Sequence, residues 1–388
     1  MTQDIRTFLP PSCDLLGLGE PTHLEPAFAH IRNELFAQLV DHGFRSIALE
    51  TDRVAALTVN DFVQGGTGDL DTVMSEGFSH GFGELAPNRR LIAWMRDHNE
   101  TRPPEERLSF HGFDAPMETM SVPSPRPHLE HTRDYLKRAD LGLDGSDLAS
   151  LLGDDERWSR TEAVLDPAMS IGATPEADRL RTIADDLLTA LHMYAPELIA
   201  ATSQDEWSRA KTHATAALGL LRHHRQAAQR VPDTTRWTRL CATRDALMAQ
   251  NLLDIRAIEA RRGPTLVFSH NVHLQRNLSS MDMGHMHLVW SSAGAIVSAL
   301  PGSHSYAFVA GSLGKSEAIA LEAPAPDTYE GALQTRIPAW GLTTAIEVPP
   351  ARSRTDATPQ QGYFPLDRPT IDAADAILHI NTGAAGAP

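Results

Sequence analysis

Four short apolar runs in this chain each end in an acid or a histidine. Asp14–Gly19 (DLLGLG) runs into Glu20-Pro21-Thr22-His23, and Arg45–Glu50 (RSIALE) closes on Glu50. Leu108–Phe113 carries His111 and meets Asp114, and Thr265–Ser269 (TLVFS) leads into His270-Asn271-Val272-His273. Histidine exchanges a proton near neutrality and so suits a general base acting on water. A neighbouring carboxylate fixes its tautomer and stabilises the imidazolium that forms. The same residue types also suit proton transfer in an elimination or cyclisation. Glu20/His23 and His270/His273 are i, i+3 pairs, a spacing that can present two metal ligands on one face. Neither an HExxH motif nor a cysteine cluster raises that reading.

Each residue also has a plainer role. An acid at a strand end can cap the following helix. His273 can lie on a helix surface, and His111 can be a satisfied polar group in the core. It is the repetition of one placement at four strand ends that argues for a shared site. Arg32, flanked at i−4 and i+4 by Phe28 and Phe36, offers a rigid guanidinium fork to a carboxylate or a substrate oxygen. Arg53, three residues past Glu50, has the same ambiguity between ligand group and solvated cation.

Two motifs are decoys. Gly77-Phe78-Ser79-His80-Gly81 matches G-x-S-x-G, with Asp114 and His270 following in triad order, but neither the preceding strand nor the following helix of a nucleophile elbow is present. Gly311–Ser316 ends like a phosphate-binding loop, yet the required first glycine is Val309.

The acids and histidines need a scaffold. Pro26–His42, with Phe28, Ile31, Leu35 and Leu39 at spacings of three and four, reads as an amphipathic helix between the first two runs. Strand, helix and strand of these lengths make a βαβ unit and hence a parallel pair. Arg90–Asn99 reads as a helix, and further strands are expected at Leu288–Trp290, Tyr306–Ala310, Ala345–Val348 and Ala376–Ile380. Between them, roughly 128–260 carries helical stripes such as Ile183, Leu187, Leu191 and Tyr194. The expected fold is α/β: a mostly parallel central sheet flanked by helices. Residues 1–122 and 262–388 form the core, and a helical insertion at 123–261 roofs the cleft. Ligands of open α/β sheets bind outside the carboxyl ends of the strands. There Glu20, His23, Glu50, Asp114, His270 and His273 would converge.

Composition narrows the partners. With 34 Lys+Arg against 50 Asp+Glu in 388 residues, the net charge is −16. That excludes a basic nucleic-acid footprint and disfavours anionic lipid. It favours a neutral or cationic small molecule. Two distant cysteines make no disulfide framework, which suits a reducing compartment. No basic-then-apolar leader and no apolar run of membrane-spanning length is seen, so a cytoplasmic location is expected.

The ordered blocks LGLGEPTH, an Arg32-bearing helix, GFRSIALE, WMRDHN, GFDAP, RDALMAQN and VFSHNVH resemble the erythromycin esterase family across most of 14–120 and 240–275. The resemblance implies a hydrolase that opens a macrolide lactone without a covalent intermediate and without metal or other cofactor. It implies that His23 is the general base, that Glu20 orients it, and that Glu50, His270 and His273 complete the catalytic set. Arg32 matches the family's functional arginine. Arg53, Asp114 and His80 join it here as candidate substrate-binding residues. GFSHGFG with NRRLIAWMR differs from the Trp-rich stretch of macrolide-inactivating members, which widens the substrate to related natural products. The alternative chemistry is a lyase or cyclase tailoring a polyketide-type metabolite with the same His/Glu set.

Overall fold

The computed structural model describes residues 4–10, 12–118, 120–138, 148–300 and 305–383. Strands β1 (Leu15–Glu20), β2 (Ser46–Asp52), β3 (Ser109–Asp114) and β4 (Thr265–His270) come first, then the hairpin β5 (Leu278–Met283) and β6 (Met286–Ser291). Strands β7 (Tyr306–Lys315), β8 (Trp340–Thr344) and β9 (Ala376–Thr382) follow. Seven of them form one sheet in the order β3-β2-β4-β1-β7-β9-β8. All of its pairings are parallel except β8 with β9. The expected α/β architecture is the observed one.

Successive strand residues enter opposite cores, as a sheet covered on both faces requires. Leu16, Leu18, Ile47, Leu49, Leu266 and Phe268 pack on one side, among the helices Pro26–Val40 and Ala86–Glu100. Leu15, Ala48 and Val267 pack on the other, against Met248, Leu252 and Ile255. Full burial of each large aliphatic side chain contributes about 1.5–3 kcal/mol. The first helix begins where its sequence dictates: Glu25 accepts from the Ala27 N–H at 3.1 Å and Pro26 occupies the first turn. Its stripe of Phe28, Ile31, Leu35 and Leu39 is completely buried.

Helices Arg126–Lys137, Pro175–Met193 and Gln204–Ala227 pack on one another through their own apolar clusters. The long helix Asp233–Glu259 touches both parts of the molecule. Trp237, Leu240 and Leu247 join a cluster with the β5–β6 hairpin, while Met248, Leu252 and Ile255 pack under the sheet. Among the described residues no helix is long and apolar enough to cross a membrane.

The strand expected at Leu288–Trp290 is observed, and the one expected at Ala345–Val348 is not. Leu288–Trp290 lies in β6, outside the central sheet, paired with a β5 that alternation alone did not reveal. Gly284 at φ 61° makes the tight turn between them. Ala345–Val348 is not a strand; the strand ends at Thr344 and Ala345–Glu347 is a single 3₁₀ turn. The Glu347 carboxylate accepts from Thr343 Oγ1 and the Thr344 N–H at 3.1 and 3.3 Å, which stops the ladder there.

Candidate active site

The register of the sheet lines up the strand ends. Glu20 on β1 is the direct neighbour of His270 on β4. Leu49 of β2 pairs with Phe268, which puts Glu50 beside Ser269, and Asp52 pairs with Asp114 of β3. A close approach secures this edge. A Cβ on Gly19 would fall 2.1 Å from the Asn271 amide oxygen. That amide bridges to both the N–H and the carbonyl of Gly311 on β7, at 2.9 Å each.

Glu50 is the hub. One carboxylate oxygen accepts from Ser269 Oγ at 2.5 Å and the His270 N–H at 3.1 Å, and lies 3.6 Å from His23 Nε2. The other accepts from Arg244 Nη2 at 3.1 Å and lies 3.5 Å from His273 Nε2. Burial alone would raise its pKa, but His23, His273 and Arg244 outweigh burial and hold it well below the ordinary glutamate value.

His23 is bracketed by acids. Its Nδ1 is 2.7 Å from Glu20 Oε1, and its Nε2 faces Glu50. Burial pushes its pKa down; Glu50 and Glu20 overcome that and hold it up at about 10. Glu20 moves up through burial, against the pull of His23. His270 and His273 take different states. Burial, reinforced by the charge of His23, pushes His270 down to about 3, so it is neutral. Its Nδ1 accepts from the Val272 N–H at 3.2 Å, and among the described residues its buried Nε2 has no hydrogen-bond partner. His273 moves the other way: burial lowers it, but Asp245 and Glu50 raise it. Asp245 accepts from His273 Nδ1 at 3.0 Å, Trp290 Nε1 at 2.6 Å and the Ala293 N–H at 2.8 Å.

Arg32 is buried beside this group. Its Nε and Nη2 donate to Asn33 Oδ1, and Nη2 also donates to Asn88 Oδ1 at 2.9 Å. Its guanidinium lies 4.8 Å over the Phe268 ring and makes no ion pair among the described residues. Burial, opposed by Glu20, lowers its pKa to about 9. Glu20, His23, Arg32, Glu50, Phe82 and Asn88 line a common cleft.

Asp114 and His80 serve this site from behind. Asp114 takes Arg244 Nη2 at 2.5 Å and lies 2.9 Å from His80 Nε2. Burial opposes its ionisation, but Arg244 and His80 pull its pKa down to about 2. His80 adopts φ 58°, a conformation that side-chain-bearing residues rarely hold, and its Nδ1 lies 2.5 Å from Glu118. Both residues thus fix Arg244, which the sequence reading left out. The block RDALMAQN places Arg244, Asp245, Met248 and Asn251 at helical spacing on the face that meets the strand ends, and Asn251 donates to the Phe113 carbonyl at 3.0 Å.

Arg53 is not in the cleft. A bulge between Leu49 and Asp52 alters the alternation of β2. Arg53 then pairs with Asp254 at 3.2 Å and lies 3.4 Å from His111, whose Nε2 meets Glu259 at 2.8 Å. Ser79 Oγ accepts from the Asp52 N–H at 2.9 Å, a structural contact, and Gly311–Lys315 is strand, not loop. Among the described residues no three His, Cys, Asp or Glu side chains are grouped to hold a metal ion.

The erythromycin esterase family profile matches residues 39–384. The chain belongs to the erythromycin esterase family. This membership supports an esterase-like hydrolase. No curated protein matches the chain significantly. Among solved structures, it is similar to a Bacillus cereus protein at 17% identity and TM-score 0.69, covering 97% of this chain and 90% of that one. A histidine-to-asparagine mutant of the erythromycin esterase EreC in its open conformation is similar at 19% identity and TM-score 0.65, covering 95% and 91%. A succinoglycan biosynthesis protein is similar at 16% identity and TM-score 0.65, covering 97% and 89%. At these identities the likeness establishes a shared fold.

Proposed function

We propose that this member of the erythromycin esterase family hydrolyses an ester or lactone, of a macrolide or a related natural product, by direct attack of water. The observation that carries the reading is His23 held between Glu20 and Glu50 beside a buried guanidinium, Arg32, that forms no ion pair among the described residues. The reacting water donates to His23 Nε2 and to Glu50, which leaves its lone pair aimed at the carbonyl carbon. His23 takes the proton, with Glu20 holding Nδ1–H, and returns it to the departing alkoxide. Arg32 faces the oxygen on which charge develops; donors in that role supply about 3–4 kcal/mol. His273 and Arg244 keep Glu50 ionised and turned toward the water. The reading places the chain in the cytoplasm and needs no metal or other cofactor.

Water is a reactant in this chemistry and not in a lyase or cyclase reaction. Erythromycin and 4-nitrophenyl butyrate, incubated in H₂¹⁸O with enzyme in excess, are expected to give a carboxylate carrying one ¹⁸O atom in the first turnover. A product without label, formed by loss of the alcohol to a double bond or a new ring, would overturn hydrolysis in favour of the lyase or cyclase reaction. First-turnover oxygen drawn from an enzyme carboxylate would replace direct water attack with a covalent route.

A further inference from the structure

A second hollow, about 730 Å³ with its space open to solvent included, is lined by neither His23 nor Glu50. Glu118, Arg244, Asp245 and His273 form its polar edge, and Arg244 and His273 face Glu50, at 3.1 and 3.5 Å. Glu50 lines the first cleft, and the second is lined by two side chains that face Glu50 from the His273 side. The walls of the second are apolar: Val164, Trp237, Leu240, Met281 and Trp290. Protein interiors are close-packed, so a hollow walled by apolar side chains is a candidate small-molecule site. Two indoles suit a flat or branched apolar group.

An independent observation points to a ligand. His223 lines the cavity and is 6% exposed, yet among the described residues its Nδ1 has no hydrogen-bond partner. Burial, reinforced by His224 and Arg244, pushes its pKa down to about 3. The ring is therefore neutral at neutral pH and has one nitrogen that can donate and one that can accept. A buried polar atom left alone costs stability, and a ligand group that pairs with it recovers the cost. A hydroxyl suits this imidazole in either tautomer.

We propose that this cavity is the specificity pocket of the enzyme, taking an aromatic or branched apolar group that bears a hydroxyl, with His223 as the group that reads the hydroxyl. The inference rests on the hydrolase reading for what happens next: the seated group presents its ester bond across Glu50 to the water held by His23.

The test is made by binding, so that it stands apart from turnover. Calorimetric titration of the full chain with 2-naphthol and with 2-methoxynaphthalene should show the naphthol bound at least tenfold more tightly, a hydrogen bond's worth of discrimination. His223→Phe should still bind both and lose the tenfold preference. Val164→Trp or Leu240→Trp, which fill the space, should abolish binding of both. Failure of 2-naphthol to bind, equal binding of the two probes, or a preference that survives His223→Phe would each overturn the pocket. Ester turnover without naphthol binding rejects the pocket and leaves the hydrolase reading standing. Naphthol binding that meets these criteria without ester turnover supports the pocket and rejects the hydrolase reading.

Discussion

His23→Asn should lower kcat for 4-nitrophenyl butyrate by about 10³–10⁴ while KM and thermal stability change little. Asparagine keeps much of the volume and can still accept a hydrogen bond, but it cannot take a proton. The side chain is about 30% exposed on the turn after β1, so the core does not depend on it. Glu50 remains anchored in the variant by Ser269, the His270 N–H and Arg244. Steady-state kinetics on the variant, with circular dichroism to verify the fold, makes the measurement. Retention of more than a tenth of the wild-type kcat would remove His23 from the chemistry.

Arg32→Lys should cost about 10²–10³ in kcat, comparable to the loss of one oxyanion donor elsewhere. Lysine preserves the charge and much of the stem. It loses the planar fork that reaches Asn33 and Asn88 at the same time, so the charge is no longer held in one place. A purely structural role for Arg32 would predict the opposite pattern: a fall in melting temperature with kcat preserved in the folded fraction. Measuring kcat per active site together with the melting curve separates these outcomes.

Much of the fold could be read from period and punctuation. β1, β2, β3 and β4 are short apolar runs with turn residues after them, and their alternation into two cores follows from burial on both faces. The hairpin was harder. Only one face of β5 is buried, in the pattern of Ser279 against the exposed Leu278, and its polar residues weaken the apolar signal. At Ala345–Val348 an apolar pair looks like a strand, but Ile346 is almost wholly exposed because the Glu347 cap has already turned the chain.

The candidate site divides in the same way. Glu20, His23, Glu50, His270 and His273 could be found because each ends or follows a strand, and parallel register makes those ends coincide. Arg244 and Asp245 reach the site from a helix far along the chain, and nothing local marks a buried Arg-Asp pair as functional. Their signal is the helical spacing of RDALMAQN, which brings Arg244, Asp245, Met248 and Asn251 to one face only once the helix is docked. Arg53 shows the converse. Its distance from Glu50 is right, and a single bulge turns it away. Asp114 and His80 are in the neighbourhood but spend their hydrogen bonds on Arg244 and Glu118.

The charge around His23 allows the most direct test. A base must be neutral to act, and Glu50 with Glu20 holds the His23 proton up to about 10. In wild type, kcat/KM for 4-nitrophenyl butyrate should therefore rise with pH through neutrality and level off only near that value. Glu50→Gln removes the largest of the influences that hold the proton, so the rising limb should move toward acid by about one unit or more, even as the maximal rate falls. A rate with no rising limb, or a limb that does not move in Glu50→Gln, would contradict the assignment of His23 as the base.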